Sequence, residues 1–330
     1  MTLNKTILVV GGAGYIGSHV VTDLKAQGYN PIIVDNFSTG NRDIAARVGA
    51  PIEEGDIGDE AFVERVLKAH KPSSVMHFAA LALVGESVAQ PAKYYKNNVA
   101  ASLTLLECML RYNIKNFIFS STCATYGVPA QIPMIEDMPQ SPINPYGHSK
   151  LMVERILKDF DAAYGLRSVI FRYFNASGAH PTLSIGERHN PESHLIPIAI
   201  ASAYGRGPLS IYGADYDTPD GTCVRDYIHV LDISNAHLLG LRYLEGGGKS
   251  DAFNIGVGKG YSVKEVAAAV ERVTKRKVPQ AVGPRRPGDP PRLVAAATKL
   301  SKALGWRPQY PELDEIVRTA HEWHRKDWGI

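Results

Sequence analysis

The stretch Thr6-Ile-Leu-Val-Val-Gly-Gly-Ala-Gly-Tyr-Ile-Gly17, continuing to Val34-Asp35, decides how this chain folds. Ile7 to Val10 are four uninterrupted apolar residues, three of them β-branched, bounded by glycine. Such a run reads as a strand buried on both faces, at the centre of a parallel sheet. Gly11, Gly14 and Gly17 recur every third residue and lead into a helical pattern (Ile16, Val20, Val21, Leu24) that stops at Gly28, in the position of a C-terminal cap. A strand, a tight glycine turn and a helix make a seat for a pyrophosphate. Backbone N–H groups and the positive end of the helix dipole meet its charge. Pro31 to Val34 then reads as a second strand ending in Asp35, 21 residues beyond Gly14, where a carboxylate can accept hydrogen bonds from both adenosine ribose hydroxyls. A 2′-phosphate would be repelled there, so NAD is expected rather than NADP.

The alternation continues. Pro51 to Glu54, Ser74 to Phe78, Asn116 to Ser120 and Arg167 to Phe171 read as strands. Asp59 to His70, a long segment from Pro91 to about Tyr112 and another from Pro145 to about Tyr164 read as helices, two of them opened by a proline suited to a first turn. The expected fold class is therefore α/β, a doubly wound parallel sheet covered by helices on both faces. Beyond Tyr173 long loops appear, Gly178 to Asn190 and Tyr212 to Arg225, and loops of that length in a compact fold are more often functional than idle. The expected division is a dinucleotide-binding domain over 1–176 and a smaller C-terminal α/β substrate lobe over 177–330, with a boundary loose enough for segments near 226–257 to return to the first domain.

Bulk composition narrows the function classes. The 330 residues carry 36 Lys and Arg against 33 Asp and Glu, with the basic residues scattered rather than striped with aromatics, so no nucleic-acid partner is expected. Cys108, Cys123 and Cys223 are odd in number and far apart, which suits a reducing cytoplasm and indicates neither a disulfide framework nor a zinc site; no metal is expected. No apolar run approaches the ~18 residues of a membrane span, and no secretory h-region opens the chain, so no membrane partner is expected.

The chemistry rests on three side chains. Tyr146 and Lys150 are four residues apart after Pro145, on one face of a helix. A free phenol titrates near ~10, and a neighbouring ammonium favours the phenolate, so the pair is expected to make a usable base. Upstream, Phe117-Ile-Phe-Ser-Ser-Thr122 ends in hydroxyls at the carboxyl edge of the sheet, where open α/β folds place ligands. Thr122 could hydrogen-bond a reacting alcohol or its ketone. The three together describe alcohol oxidation by hydride transfer to NAD.

These residues, with His77-Phe-Ala-Ala80, Asn97-Asn-Val99, Arg172-Tyr-Phe-Asn175, Gly178-Ala-His-Pro181, Asp220 to Val230 and Arg285-Arg286 through Gly288-Asp289, resemble the extended short-chain dehydrogenase/reductase family, in its nucleotide-sugar epimerase branch, over nearly the whole chain. The resemblance implies that Tyr146, Lys150 and Thr122 are catalytic. It implies that Gly11, Gly14, Tyr15, Ile16, Gly17, Asp35, Asn36, Asp56, Ile57, Phe78, Ala79, Ala80, Asn97, Tyr146, Lys150 and Phe174 hold NAD. It likewise implies that Thr122, Asn175, His194, Leu195, Ser210, Ile211, Tyr212, Arg225, Arg286, Asp289 and Leu293 hold a UDP-sugar, the arginines being well shaped for a pyrophosphate. The implied reaction is inversion at C4 of a UDP-hexose, UDP-glucose and UDP-galactose first, through a 4-keto intermediate. The helices after Pro91 and Pro145 carry apolar residues on more than one face (Val99, Leu103, Leu106, Met109; Leu151, Met152, Ile156, Leu157), and relatives pair these helices, so a homodimer is expected.

Four positions depart from the family pattern. Thr122 replaces a serine, Ala82 a lysine, His194 an asparagine, and Leu293 a tyrosine or cysteine near the sugar's 2-substituent. Nucleotide-sugar 4,6-dehydratases share the scaffold but carry Asp-Glu after the threonine, where this chain has Cys123-Ala124, which cannot serve as carboxylic acids. A non-catalytic NAD-binding protein is the other alternative, and the joint presence of Thr122, Tyr146 and Lys150 argues against it.

Overall fold

The computed structural model describes residues 5–286 and 289–330. The chain divides into two compact units: residues 1–127, 139–172 and 234–253 form the first, and residues 128–138, 173–233 and 254–330 the second. The chain passes between the units repeatedly.

In the first unit, β1 (Thr6–Val10), α1 (Tyr15–Ala26), β2 (Asn30–Asp35), α2 (Arg42–Val48), β3 (Ile52–Glu54), α3 (Glu60–His70) and β4 (Ser74–His77) follow one another. They are followed by α4 (Val84–Ala89), α5 (Pro91–Tyr94), α6 (Ala101–Arg111), β5 (Asn116–Thr122), α7 (Pro145–Tyr164) and β6 (Arg167–Tyr173). The sheet order is β3-β2-β1-β4-β5-β6 with a seventh strand, Asp251–Ile255, beyond β6. Every pairing from β3 across to β5 is parallel. Ile7 and Val9 are fully buried and Leu8 and Val10 nearly so, as a strand covered on both faces requires. Each such side chain contributes about 1.5–3 kcal/mol by leaving water. On one face, Leu8, Val10, Ile32 and Val34 pack with α3 and α6 through Val63, Leu67, Leu105 and Met109.

Two local features escape the apolar pattern. The segment after Pro91 is not one regular helix, because Tyr95–Ala100 widens into a π-helical turn between α5 and α6. Within it the buried Asn98 side chain accepts from Leu81 N and donates to Leu81 O and to Ser149 Oγ, tying α7 and the loop after β4 together. The short helix α4 has no apolar periodicity strong enough to announce it.

The apolar residues expected to pair two copies divide by burial. Leu106, Met109, Leu151 and Leu157 are core, Val99 and Ile156 pack against that core, and Met152 is 42% exposed. Most of the second apolar face thus serves the unit's own interior.

The second unit holds a sheet in which the strand Val224–His229 has Gly260–Ser262 on one side and Arg292–Leu293 on the other, and also pairs with Asn175–Ser177. A separate parallel pair joins Leu209–Tyr212 to Gln280–Gly283. Helices Leu195–Ala203, Val263–Thr274 and Leu313–Trp328 bury a common core that includes Ile200, Val266, Val270, Ile316 and Val317. Among the described residues no helix is long and apolar enough to cross a membrane.

Candidate active site

The turn after β1 closes as its glycines require. Gly11 has φ +79°, and a Cβ there would stand 2.5 Å from Ala79 N. A Cβ on Gly17 would stand 2.2 Å from Gly11 O. Only hydrogen at these positions lets the turn, the start of α1 and the loop after β4 approach one another. The cleft so formed is lined by Gly11, Gly14, Asp35, Asn36, Asp56, Ile57, Phe78, Ala79, Ala80 and Asn97, all cofactor candidates. Ser38, Thr39, Gly40 and Gly55 also line it, and nothing in their spacing announced them. Tyr15, Ile16 and Gly17 form the first turn of α1 and are not among the residues that line the cleft. Phe174 falls in the second unit, where its N–H donates to Ile255 O at 3.1 Å.

Asp35 ends β2 and is 8% exposed, with Oδ2 accepting from Ala13 N at 3.0 Å and Oδ1 from Phe37 N at 2.9 Å. Burial raises its pKa, partly offset by these two N–H groups. The carboxylate is therefore fixed at the rim of the cleft with lone pairs left for hydroxyl donors, and a Cβ on Gly40 would stand 2.6 Å from its Oδ1. Asn36 Nδ2 donates to Asp56 Oδ2 at 2.9 Å, joining two more candidates. A deep cradle bounded by glycines, the N-terminus of α1 and a fixed carboxylate fits an adenine dinucleotide. Ala82, where a lysine would have met the cofactor, is exposed.

Thr122, Tyr146 and Lys150 come together in the same unit. Thr122 is the last residue of β5 and caps a 3₁₀ turn at Cys123–Tyr126, its Oγ1 accepting from Ala124 N at 3.1 Å. Asn144 caps α7, accepting from Gly147 N at 2.9 Å, and Pro145 occupies the first turn. Gly147 lets α7 start hard against that 3₁₀ turn, since a Cβ would stand 2.6 Å from Ala124 O. The phenol of Tyr146 thereby comes near enough to the Thr122 side chain for Thr122 to favour its ionised form.

The electrostatics differ from the sequence expectation. Burial pushes the Tyr146 phenol up to about 12, although the Thr122 side chain pulls it down. Burial also pushes Lys150 down to about 7, partly opposed by Glu154. Lys150 is 3% exposed, and its Nζ donates to Ser120 O at 2.7 Å and sits 4.8 Å from the Phe119 ring centroid. Burial is the largest influence on the Tyr146 phenol, and Lys150 is not among the groups that shift it here.

Beneath these residues lies a buried network that the sequence did not reveal. Glu154, one turn beyond Lys150, accepts from Arg172 Nη2 at 2.7 Å, from Gln140 Nε2 at 2.9 Å and from Ser121 Oγ. Arg172 also donates to Tyr126 Oη at 2.7 Å. The i, i+4 spacing of Lys150 and Glu154 was the available signal.

The sugar-nucleotide candidates belong to the second unit, apart from Thr122. Arg225 pairs with Asp289, and Cys223 Sγ lies 3.6 Å from Asp289 Oδ2. Leu293 is the register partner of Arg225, so these residues share one patch. Asn175 donates to Asp226 O at 3.1 Å. Arg286 stacks over Tyr212, 3.9 Å from the ring centroid, beside Ser210 and Ile211 in the same strand, with Ser210 exposed and Ile211 buried. Pro287 and Gly288 lie outside the described residues. His194 and Leu195 open the helix Leu195–Ala203, with His194 drawn to Glu187 and Glu192.

Known proteins share this arrangement. Residues 7–256 match the NAD dependent epimerase/dehydratase family. A UDP-glucose 4-epimerase of Rhizobium leguminosarum bv. trifolii is 52% identical, over 98% of each chain. Among solved structures, UDP-glucose 4-epimerase from Brucella ovis in complex with NAD superposes with a TM-score of 0.93 at 49% identity, covering 96% of this chain and 98% of that one. The UDP-Glc/GlcNAc 4-epimerase from Campylobacter jejuni gives 0.85 at 41%, covering 98% and 99%. On the glycine cradle, the Thr122, Tyr146 and Lys150 cluster and these matches, the chain belongs to the NAD-dependent epimerase/dehydratase family and sides within it with the UDP-glucose 4-epimerases.

Proposed function

We propose that the chain inverts C4 of UDP-hexoses, with UDP-glucose and UDP-galactose as the main pair. The observation that carries this reading is the packing of the turn after Thr122, the last residue of β5, against the start of α7, where Tyr146 and the buried Lys150 stand one turn apart. Tyr146 takes the proton of the sugar's 4-hydroxyl, and Thr122 hydrogen-bonds the same oxygen. NAD held by Gly11, Gly14, Asp35 and the other cleft residues would supply a reversible acceptor for the C4 hydride and a positive charge that favours the phenolate. Lys150, fixed against the end of β5, stabilises the phenolate and keeps water from solvating it. The proton held at Tyr146 Oη goes back to O4 once the 4-keto sugar presents its other face. That turn requires a grip on the nucleotide and a loose hold on the sugar, the role assigned to Asn175, Arg225, Arg286 and Asp289. No external oxidant is consumed.

Dehydration is disfavoured because Cys123 and Ala124 occupy the turn after Thr122, where an acid and a base would be needed. A broader sugar range is favoured by Leu293, which leaves more room than tyrosine beside the 2-substituent, and it accords with the dual activity in the name of the Campylobacter relative. The proposed setting is the cytoplasm and the proposed assembly a homodimer through the helices after Pro91 and Pro145, which light scattering checks directly.

Incubation of the purified protein with UDP-glucose, UDP-N-acetylglucosamine and UDP-xylose in turn, with product identification, tests the reading. UDP-galactose from the first is expected. Its absence, with NAD bound, rejects the proposal, and a 4-keto-6-deoxy product establishes the dehydratase instead. Tyr146→Phe should abolish turnover while cofactor binding, followed by fluorescence, persists.

A further inference from the structure

We propose that Glu187, His189, Glu192 and His194 form a site for one divalent transition-metal ion, zinc above all, in the second unit. These side chains belong to the loop after Gly178 and to the start of the helix Leu195–Ala203, and all their ligand atoms lie within 4.8 Å of one another. Both imidazoles present Nδ1 and both carboxylates present Oε1 to a common point. His194 stands 2.6 Å from Glu187 and 3.2 Å from Glu192, and His189 stands 3.1 Å and 3.9 Å from the same two oxygens. Four donors around a tetrahedral zinc with bonds of about 2.0–2.2 Å are separated by roughly 3.3–3.6 Å. Small side-chain rotations therefore turn the existing cluster into a coordination sphere.

The donor set selects the ion. Two imidazoles with two carboxylates suit zinc and its first-row neighbours, whereas calcium and magnesium take oxygen ligands almost exclusively. The surroundings have the parts that a metal site needs. Glu187 is buried, while the side chains of Glu192, His189 and His194 are 21%, 32% and 48% exposed, which leaves a path of entry. Glu187 is fixed through its carbonyl, which accepts from Trp323 Nε1 at 2.7 Å, and through Gly186, where a Cβ would stand 2.5 Å from the Trp323 ring. Glu192 Oε1 is oriented by Ser193 N at 2.7 Å and His194 N at 2.9 Å. A further imidazole, His324, is 1% exposed with neither ring nitrogen hydrogen-bonded, and it lies within electrostatic range of Glu187 and Glu192. The bound ion would fasten the 178–190 loop to the start of the helix that carries Leu195. The expectation of no metal, drawn from cysteine spacing, did not weigh the pattern Glu187-x-His189-x-x-Glu192-x-His194.

The competing account of the same contacts is two histidines hydrogen-bonded to two carboxylates with no ion. The full-length protein, stripped with a chelator and dialysed, is titrated with zinc chloride by calorimetry and then analysed for metal content. One zinc per chain and a zinc-dependent rise in thermal midpoint are expected, and cobalt in its place should give the visible spectrum of a tetrahedral site. His189→Ala, checked for native circular dichroism, should weaken zinc binding by more than the about 10–100-fold that loss of an outer-shell partner causes. A wild-type protein that takes up no zinc, or a folded His189→Ala that binds it as tightly as wild type, overturns the proposal. Should His189→Ala not fold, the wild-type stoichiometry and the cobalt spectrum decide alone.

Discussion

Lys150 Nζ donates to the carbonyl of Ser120 at 2.7 Å, two residues before Thr122 on the same strand. The contact holds the buried cation against the end of β5 and ties α7 to that strand. Lys150→Met keeps the bulk and removes both the donor and the charge. Turnover with UDP-glucose should fall by at least about 10²-fold, the usual worth of a positioned acid–base group, with the fold retained by circular dichroism. Near-wild-type kcat in this variant would remove Lys150 from the mechanism.

Glu154 and Arg172 form a buried pair, their side chains 5% and 7% exposed. Removing one partner strands the other's charge away from water, which costs about 3–5 kcal/mol. Glu154→Ala should lower stability by that order in urea unfolding. It should also disturb Ser121, which donates to the same carboxylate beside Thr122. A loss under 1 kcal/mol would mean that water reaches Arg172 once the glutamate is gone.

His77 ends β4 at 1% exposure, and burial, with the charge of Lys150 second, lowers its pKa to about 3. Between about pH 6.5 and pH 3 the unfolded imidazole therefore binds a proton that the folded one refuses. Stability contributed by the neutral ring is present above that window and lost as pH falls through it, at about 1.4 kcal/mol per pH unit. Asp226 and Asp232, each raised to about 6 chiefly by burial, act in the opposite sense between about pH 6 and their unfolded values, so the comparison must be between variants. His77→Leu should show a shallower acid-side decline than wild type in urea midpoints measured from pH 7 to pH 4. Parallel curves would show that His77 does not titrate on unfolding in this range.

Leu293 pairs in register with Arg225, which joins the proposed sugar contact to the proposed pyrophosphate contact by one rung of sheet. Hydrophobic contacts discriminate by only about 1–3 kcal/mol, so partial acceptance of an N-acetyl group at C2 is expected. Leu293→Tyr should reduce N-acetylhexosamine turnover about 10-fold or more relative to UDP-glucose. An unchanged ratio of the two rates would assign specificity elsewhere.

Local sequence was sufficient for the first half of the fold. The apolar run Ile7–Val10, the glycine triplet and Asp35 act within 30 residues, and their geometry follows from backbone sterics and burial alone. The same holds for Pro145 with Asn144 at the start of α7, so the placement of Tyr146 and Lys150 on one helix was legible. What the sequence by itself left open depends on dielectric environment and on contacts between distant segments. Whether Lys150 lowers the Tyr146 phenol turns on how deeply both are buried, and burial is a property of the packed unit. The Glu154 and Arg172 pair joins α7 to β6, and Asn98, within a π-turn, ties residues 81 and 149 together. Each links groups whose separation along the chain carries no periodic signal, so only the tertiary structure could bring them into view.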